Sequence, residues 1–435
     1  MESEVSIWWL RRDLRLDDNA ALYHALRENK NVILLFIFDT AILDQLEVKS
    51  DRRVQFIREQ LKEIQSQLKE IGSDLIVKVG KPIDIWKQVI MEWKVKSVYT
   101  NHDYEPYAKD RDREVESLLV SNGISFRTYK DHVIFEKDEV TKEDGTPYTV
   151  FTPYSRKWMA KLNPFYYQSY PTGKYFGNFL KWTSPNPIPE LEAIGFDKCE
   201  YQYPDKVVKA CIVKRYAEQR NYPGIDGTSK LGLHLRFGTL SIRKLVAYTI
   251  DKDQTFVNEL IWRDFYQQIL WHYPHVARQA FKKDYDLIEW INDEAMYQKW
   301  CNGQTGYPLV DAGMRELNET GFMHNRVRMV TASFLAKHLL IDWRWGEAYF
   351  AKKLLDFDLA ANNGGWQWVA GSGTDAVPYF RIFNPTAQME KFDPQLTYVK
   401  KWVPEYGTSE YPSPIVNHEM ARKRCLEVYS KALNK

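Results

Sequence analysis

Residues 6–15 read SIWWLRRDLR, an apolar run that stops abruptly at a charged turn. Similar short apolar runs recur in the first 130 residues, at 6–10, 32–38, 74–79, 97–100 and 124–129. Stretches with the 3.6-residue period of amphipathic helices separate them. This alternation predicts an α/β N-terminal domain with a parallel, five-stranded, Rossmann-like sheet and right-handed crossovers. Because the runs are almost wholly apolar, we expect helices on both faces of that sheet.

The turn after the first run, from Arg11 to Arg15, contains no glycine. A dinucleotide-binding sheet ordinarily carries G-x-G-x-x-G here, where glycine lets the backbone approach a pyrophosphate. Because that fingerprint is absent, we expect the N-terminal domain to bind a ligand of another kind.

The pattern changes beyond residue 130. Between 131 and 200 the periodicity fails and prolines punctuate the chain, which predicts a partly ordered connector. From 201 to 435 the pattern is helical, with candidate helices at 205–221, 241–251, 254–272, 309–320, 326–340 and 344–357. The sequence thus predicts an α/β domain at 1–130, a connector at 131–200 and an all-α domain at 201–435.

The composition of the 435 residues is that of a folded globular protein, with 44% apolar and 27% charged residues. The opening MESEVSIWWLRRD lacks the basic and apolar regions of a secretory signal, and no run of ~18 uncharged apolar residues occurs. We therefore expect a cytoplasmic protein without a membrane segment. The four cysteines show neither disulfide-framework nor zinc-finger spacing, so we expect no metal site.

Charge and aromatic residues are unevenly distributed. Residues 1–150 hold 23 Lys and Arg against 28 Asp and Glu, whereas residues 151–435 hold 37 against 30. A basic second part is one signature of a nucleic-acid partner, although many unrelated enzymes share it. Eight of the 15 tryptophans fall between Trp262 and Trp368, which core packing would also explain.

The predicted helix at 254–272 has two distinct faces. One is an ordinary apolar stripe with i, i+4 spacing. The other carries a carboxylate, an indole, a guanidinium and a phenol, namely Glu259, Trp262, Arg263 and Tyr266. Such a face suits recognition of a flat, hydrogen-bonding ligand such as a base. A salt bridge beside packed aromatic rings would explain it equally.

Two further segments could hold a cofactor. GTSKLG at 227–232 offers backbone amides and hydroxyls that can cradle phosphate oxygens, although many ordinary helix caps look the same. DFDLAANNGGWQW at 356–368 places two carboxylates and two amides in a predicted short helix that ends at Gly-Gly. These groups suit the rim of a flavin ring better than a metal, because the cluster contains no histidine.

Six motifs then appear in order along the chain: WLRRDLR at 9–15, ELIWR at 259–263, GYPLVDAGMR at 306–315, MHNRVRM at 323–329, DFDLAANNGGWQW at 356–368 and YFRIFNP at 379–385. Together they make the chain similar to the DNA photolyase/cryptochrome family over essentially its whole length. The resemblance implies an antenna domain at 1–130 and an all-α FAD-binding domain at 201–435.

Within that family the resemblance is greatest to class I cyclobutane pyrimidine dimer photolyases. Asn325 and Met329 stand where (6-4) photolyases have histidines, and Asn362 stands where many cryptochromes have Asp or Cys. Trp262 replaces the Tyr usual in the DASH branch, and the long tail of signalling cryptochromes is missing. The resemblance implies light-driven dimer repair by electron transfer from excited FADH⁻ to a flipped-out dimer, followed by electron return. The alternative is a cryptochrome-type blue-light photoreceptor.

The resemblance also implies how FAD would be held. The phosphates and ribityl chain would contact Tyr216, Thr228, Ser229, Lys230 and Leu231. The family often has Arg and Ser at the positions of Lys230 and Gly232, which puts one phosphate contact in doubt. The flavin ring would contact Asp358, the ion pair of Arg328 with Asp356, and Asn362 near its N5.

DNA contacts follow from the same resemblance. Trp262 would stack on the flipped-out dimer, Glu259 and Asn325 would bond its polar edges, and Met329 would pack against it. Tyr266 shares that surface, while Arg220 and Arg326 would bind the strand's phosphates. The implied partner is UV-damaged DNA containing cyclobutane pyrimidine dimers, bound by a monomer.

Electron transfer and light harvesting complete the implied set. Trp366, Trp343 and Trp290 align with the chain that reduces FAD from the surface. Core packing is expected for Trp271, Trp300, Trp345, Trp368 and Trp402. Glu105 matches a carboxylate that binds an antenna, for which methenyltetrahydrofolate is favoured. Arg278 stands where a folate-binding Lys is expected, so the charge is kept with a different geometry. An 8-hydroxy-5-deazaflavin or a flavin nucleotide in the sheet crevice is the alternative.

Overall fold

A computed structural model describes residues 4–185 and 187–434 of the chain. Its strands are β1 Val5–Leu10, β2 Val32–Asp39, β3 Leu75–Gly80, β4 Val95–Asn101 and β5 Ser125–Tyr129. The helices are α1 Ala20–Glu28, α2 Thr40–Leu43, α3 Arg52–Glu70, α4 Pro82–Glu92, α5 Pro106–Ser121, α6 Phe151–Lys161, α7 Pro164–Tyr167, α8 Ala210–Lys214, α9 Tyr216–Gln219, α10 Gly232–Arg236, α11 Ile242–Thr249, α12 Gln254–His272, α13 Glu294–Cys301, α14 Pro308–Thr320, α15 Asn325–Ser333, α16 Trp343–Lys353, α17 Leu359–Ala370, α18 Pro385–Phe392, α19 Thr397–Trp402 and α20 His418–Ala432.

The chain forms two compact units, each assembled from three segments. The first comprises Met1–Glu136, Leu162–Val207 and Leu231–Ile250, and the second comprises Lys137–Lys161, Val208–Lys230 and Asp251–Lys435. These units do not follow the boundaries at 130 and 200 that the sequence suggested. The proline-rich stretch contains the helices α6 and α7, and its parts belong to different units.

The first unit contains the predicted sheet. Its five strands are parallel, in the order β3-β2-β1-β4-β5. All residues of β1 and β2 are buried, because both strands are central and helices cover them. The α/β prediction and all five strand positions are confirmed.

A buried ionic cluster fastens the last segment of the first unit to the sheet region. Asp131 accepts hydrogen bonds of 2.7 Å from Arg15 and from Arg243, the second residue of α11. Arg243 also donates to Asp18 at 2.9 Å. Burial alone would raise the pKa of Asp131, but the two guanidinium groups lower it below its ordinary value. The cluster therefore joins three distant parts of the sequence with fully ionised groups.

The second unit is helical around one large apolar cluster that includes residues of α13 to α17. The prediction at 254–272 coincides with α12. The prediction at 205–221 is wrong, because Arg215, at φ −111° and ψ 11°, separates two short helices. The helix predicted at 326–340 is helical from Asn325 to His338, but its last turn, Phe334–His338, is π-helical rather than α-helical.

The helix predicted at 344–357 ends early. The helix α16 stops at Lys353, since Leu354 adopts an extended conformation with φ −70° and ψ 127°. The apolar period continues past this break because Leu354 and Leu355 are themselves buried. Periodicity alone therefore could not locate the end of the helix.

Within residues 4–185 and 187–434, no helix combines the length and apolarity needed to cross a bilayer. Over the same residues, no three His, Cys, Asp or Glu side chains are grouped in a way that could hold a metal ion.

We predict that Asp131→Asn destabilises the protein by about 3 kcal/mol, because it removes the charge that compensates two buried guanidinium groups. The free energy of unfolding in urea measures this effect. Asp17→Asn is the matched control, since Asp17 is exposed and pairs with Lys244 at the surface. That control should change stability by less than about 0.5 kcal/mol. Equal effects of the two substitutions would contradict a structural role for the buried cluster.

Candidate functional site

The helix α12 carries the two-faced pattern seen in the sequence. Asp253 caps its N-terminus by accepting from the backbone N–H of Phe256 at 2.8 Å. The stripe containing Val257, Ile261 and Phe265 is fully buried. Trp262 and Tyr266 are half-buried on the neighbouring face, so α12 presents these rings beside its core contacts.

Glu259, on the same face, forms an ion pair with Arg220. Burial raises the pKa of Glu259, and the neighbouring guanidinium opposes that shift. Arg326 lies close by, since its guanidinium donates at 2.7 Å to Asn221, the residue after Arg220. Burial and the charge of Arg220 lower the pKa of Arg326. The salt bridge that the sequence left open is therefore present, next to a second arginine.

Trp262 has a partner that the sequence analysis missed. The ring of Phe151, the first residue of α6, lies parallel to the indole with centroids 3.7 Å apart and planes 2° apart. The only signal was an aromatic residue preceding Thr-Pro in a stretch that reads as a connector.

The helix α17 corrects the prediction of a short helix that ends at Gly-Gly. It continues through Gly364 and Gly365 to Ala370, and Gly371 ends it with φ 92°. A Cβ on Gly364 would lie 2.2 Å from Cδ1 of Tyr266, whereas nothing lies within 4 Å of one on Gly365. Gly364 thus serves close packing of α17 against α12 rather than helix termination.

Asp358 caps α17 and also joins it to α12. Its carboxylate accepts from Nε2 of Gln267 at 2.9 and 3.1 Å, and from the backbone N–H of Ala361 at 3.3 Å. Asp356, two residues earlier, pairs with Arg328, one of whose guanidinium nitrogens lies 2.9 and 3.1 Å from the two carboxylate oxygens. The Arg328–Asp356 pair that the resemblance implied is therefore formed.

The helix α15 supplies Asn325, Arg326, Arg328 and Met329. His324 caps it, with Nδ1 accepting from the backbone N–H of Arg326. Burial and the two arginines lower the pKa of His324 to about 4, so the imidazole is neutral and can accept near pH 7. Asn325 is exposed, whereas Met329 packs against the apolar cluster.

A second contact that the sequence analysis missed joins Asn362 to Glu347. The amide of Asn362 donates to the backbone carbonyl of Glu347 at 3.1 Å and to its carboxylate at 2.8 Å. Burial raises the pKa of Glu347, and the bond from Asn362 opposes that rise. Glu347 lies in α16, fifteen residues away, so no local motif marked the pair.

The residues expected to contact the FAD phosphates lie in or next to the segment before α10. Tyr216 packs edge-on against Phe256, and Thr228 and Ser229 are half-buried. Lys230 has a left-handed backbone with φ 52°, and its Nζ lies 3.7 Å from Asp226. Leu231 is buried and begins the last segment of the first unit.

The groups on α12 and α17 fit a flavin. In the part of the chain that the structure describes, Oε1 of Gln267 and Nε1 of Trp366 are buried polar atoms without a hydrogen-bond partner. Tyr266, Asn363 and Gly364 line a narrow cavity between the two helices. A carboxylate, amides and unpaired polar atoms beside aromatic rings match the donors and acceptors of an isoalloxazine ring.

The three expected electron-transfer tryptophans lie in one apolar cluster. Trp366 and Trp343 are buried members, and the partly buried Trp290 packs against the cluster. Trp366 contacts Phe350 at a centroid distance of 5.0 Å and Trp300 at 6.1 Å.

The two expected antenna residues lie in different units. Glu105, in the first, pairs with Arg12 at 2.8 Å and with Arg236. Arg278, in the second, uses its backbone carbonyl to accept from Arg344 at 3.0 Å.

The carboxyl ends of the strands also contain polar groups. Tyr107 donates to Asp39 at 2.6 Å, and the guanidinium groups of Arg11 and Arg111 lie about 5 Å from the ring centre of Trp9. Ligands of open α/β sheets commonly bind at this edge.

We predict opposite effects of alanine at the two adjacent glycines of α17. Gly364→Ala should lower the free energy of unfolding by about 1–3 kcal/mol and reduce bound flavin, because Tyr266 must move. Gly365→Ala should leave flavin content unchanged and stabilise α17 by up to about 1 kcal/mol through helix propensity. Urea denaturation and the flavin-to-protein absorbance ratio measure both effects. Equal flavin loss in the two variants would contradict the packing argument.

Two family models match the chain. Residues 6–173 match the model described as DNA photolyase, and residues 256–409 match the FAD binding domain of DNA photolyase. A deoxyribodipyrimidine photo-lyase from Synechococcus is 36% identical over 469 residues, covering 98% of this chain and 96% of the relative.

Solved structures agree with this similarity. A bacterial class III photolyase from Agrobacterium tumefaciens has a TM-score of 0.87 and 31% identity, covering 100% and 99% of the two chains. An archaeal photolyase from Sulfolobus tokodaii with two FAD molecules has a TM-score of 0.80 and 34% identity, covering 98% of this chain and 100% of that one. A Synechocystis cryptochrome has a TM-score of 0.86 and 26% identity, covering 98% of this chain and 99% of that one.

Proposed function

The chain belongs to the DNA photolyase family, and on that premise we propose that it is a class I deoxyribodipyrimidine photo-lyase. It would use FAD and light to repair cyclobutane pyrimidine dimers in UV-damaged DNA, as a cytoplasmic monomer. The observation that carries the proposal is the face of α12, where the indole of Trp262 lies beside the Glu259–Arg220 pair.

FAD would be held by residues of α12, α15 and α17 together with the segment at 216–231. Reduced FAD, when bound, would supply an electron to the dimer under light and recover it after the cyclobutane ring of the dimer opens. Asp358 would accept from the N3 edge of the ring, and the Arg328–Asp356 pair would flank it. Asn362, held by Glu347, would present its amide near N5. A neutral amide suits a site that must accommodate an anionic ring.

The dimer would be recognised by residues on α12 and α15. A flipped-out dimer exposes a planar, apolar face and polar edges, and unstacking costs less for a damaged pair. Trp262 would stack on that face, with Tyr266 beside it and Met329 packed against the dimer. Glu259 and Asn325 would bond the edges.

Arg220 and Arg326 would bind phosphates of the distorted strand. Neither guanidinium contacts a base in this role, so both would contribute affinity without sequence preference. Arg220 would exchange its partner Glu259 for a phosphate, which leaves the carboxylate free for the N–H groups of the dimer.

Trp366, Trp343 and Trp290 would carry electrons from the surface to oxidised FAD. Trp366 and Trp343 belong to one apolar cluster and Trp290 packs against it, which supports this role because hopping requires π systems in the same region.

A cryptochrome-type photoreceptor would share the fold and the flavin. Nothing in the site favours it over repair, since Asn325, Met329 and Asn362 are the residues of the repair enzymes. A repair assay separates the two functions.

We predict that the purified protein, with its flavin fully reduced, restores thymine pairs in an oligonucleotide containing a thymine dimer under blue light. An identical sample kept in the dark should show no repair, because electron transfer from the flavin to the dimer requires the energy of an absorbed photon. Chromatography of the digested oligonucleotide quantifies the dimer. Equal repair in the dark, or none in the light, would contradict the proposed activity.

For the antenna we propose methenyltetrahydrofolate near Glu105, with Arg278 as a second contact. Glu105 already pairs with Arg12 and Arg236, so a folate must displace a guanidinium. The alternatives, a deazaflavin or flavin nucleotide, suit the strand ends near Trp9.

We expect denaturation of freshly purified protein to release a folate besides FAD. Mass spectrometry of the released chromophores checks this, and Glu105→Gln should lower only the folate. A deazaflavin or an excess of flavin over one FAD per chain would contradict the folate assignment.

A further inference from the structure

One face of the Trp262 indole is occupied within the protein itself. The ring of Phe151 covers it in a parallel stack with a centroid distance of 3.7 Å. Both residues are half-buried, and Phe265 meets the two rings edge-on, at 5.9 Å from Phe151 and 5.6 Å from Trp262. The three rings therefore form a single packed group in which Phe151 occupies one face of the indole. The ring of Tyr266 also contacts Trp262, with centroids 5.4 Å apart and planes tilted by 32°.

The Phe151 ring is held in place from both sides. Its backbone N–H donates to Oδ2 of Asp375 at 3.1 Å, which fixes the start of α6. One turn later Tyr154 packs against Phe265, with centroids 5.2 Å apart. A further turn along, the buried indole of Trp158 donates to Asp264 of α12 at 3.0 Å. Phe151 thus belongs to a helix that contacts α12 along its length. These contacts keep the backbone of Phe151 in place beside Trp262.

We propose that Phe151 is a positioning residue for dimer recognition, which holds the plane of Trp262 so that a flipped-out base completes a base–Trp262–Phe151 stack. The proposal rests on the proposed photolyase function, because it requires Trp262 to be the stacking surface.

The physical basis is the entropy of the indole. A half-exposed tryptophan without a neighbour on its far face would sample several rotamers, and binding would have to select one of them. The stack with Phe151 fixes that rotamer before the base arrives. The entropy saved by a fixed rotamer of Trp262 matters only when a base stacks on the indole. The Phe151 stack therefore increases affinity for the dimer without increasing affinity for intact DNA.

The first experiment compares Phe151→Leu with Phe151→Tyr in otherwise intact protein. Dissociation constants are measured in the dark, by fluorescence anisotropy, for a thymine-dimer oligonucleotide and its undamaged counterpart. Phe151→Leu should weaken dimer binding by roughly three- to tenfold, the range of an aromatic pair. Phe151→Tyr should restore it, and neither change should alter binding of undamaged DNA. Phe165→Leu is the control, since Phe165 is 77% exposed on α7.

The second experiment uses Trp262→Leu as the background. Phe151→Leu should then have no further effect on dimer affinity, and flash-induced repair per bound dimer should be unchanged by Phe151→Leu alone. An unchanged dimer affinity in a stable Phe151→Leu variant would overturn the proposal, as would equal losses for damaged and undamaged DNA. A gain in dimer affinity would also overturn it, since the ring would then compete with the base. Failure of the wild-type protein to repair dimers would instead reject the proposed function.

Discussion

The candidate site depends on the close approach of two helices, α12 and α17. Gly364 permits this approach, because any side chain there would meet the ring of Tyr266. The hydrogen bonds from Gln267 to Asp358 then fix the relative register of the helices. As a result, the aromatic face of α12 and the amides of α17 belong to one rigid surface. A buried carboxylate shared between the two helices makes sliding costly, because it would lose its donors.

Much of this arrangement could be predicted from local patterns. The apolar runs at β1 and β2 specified the centre of the sheet, because a strand buried on both faces must be apolar throughout. The helix α12 was predictable to its ends, since Asp253 caps it and its apolar stripe is unbroken. Arg328 and Asp356 both lie in motifs visible in the sequence. Their pairing across 28 residues could be predicted only from the family resemblance, because no local pattern connects them.

The remainder depended on contacts between distant residues. Phe151 lies more than a hundred residues before Trp262, and the Glu347–Asn362 bond joins two helices. The Gly-Gly pair in α17 looks like a helix end because glycine has a low helix propensity, and only the position of Tyr266 shows why Gly364 is needed there. The segmentation of the two units was equally hidden, since α6 joins the second unit and α11 the first.

The charges of the site follow from the same packing. Glu259 lies beside the apolar rings of α12, where burial favours the protonated acid. Arg220 opposes the resulting rise in pKa and pairs with the carboxylate. The pair is half-exposed, which keeps the cost of separating its members small compared with that of a fully buried pair. A buried pair such as Arg243–Asp131 holds structure together, whereas an ion pair at the surface can exchange partners. Burial thus distinguishes the ionic groups that fasten this fold from those available to a ligand.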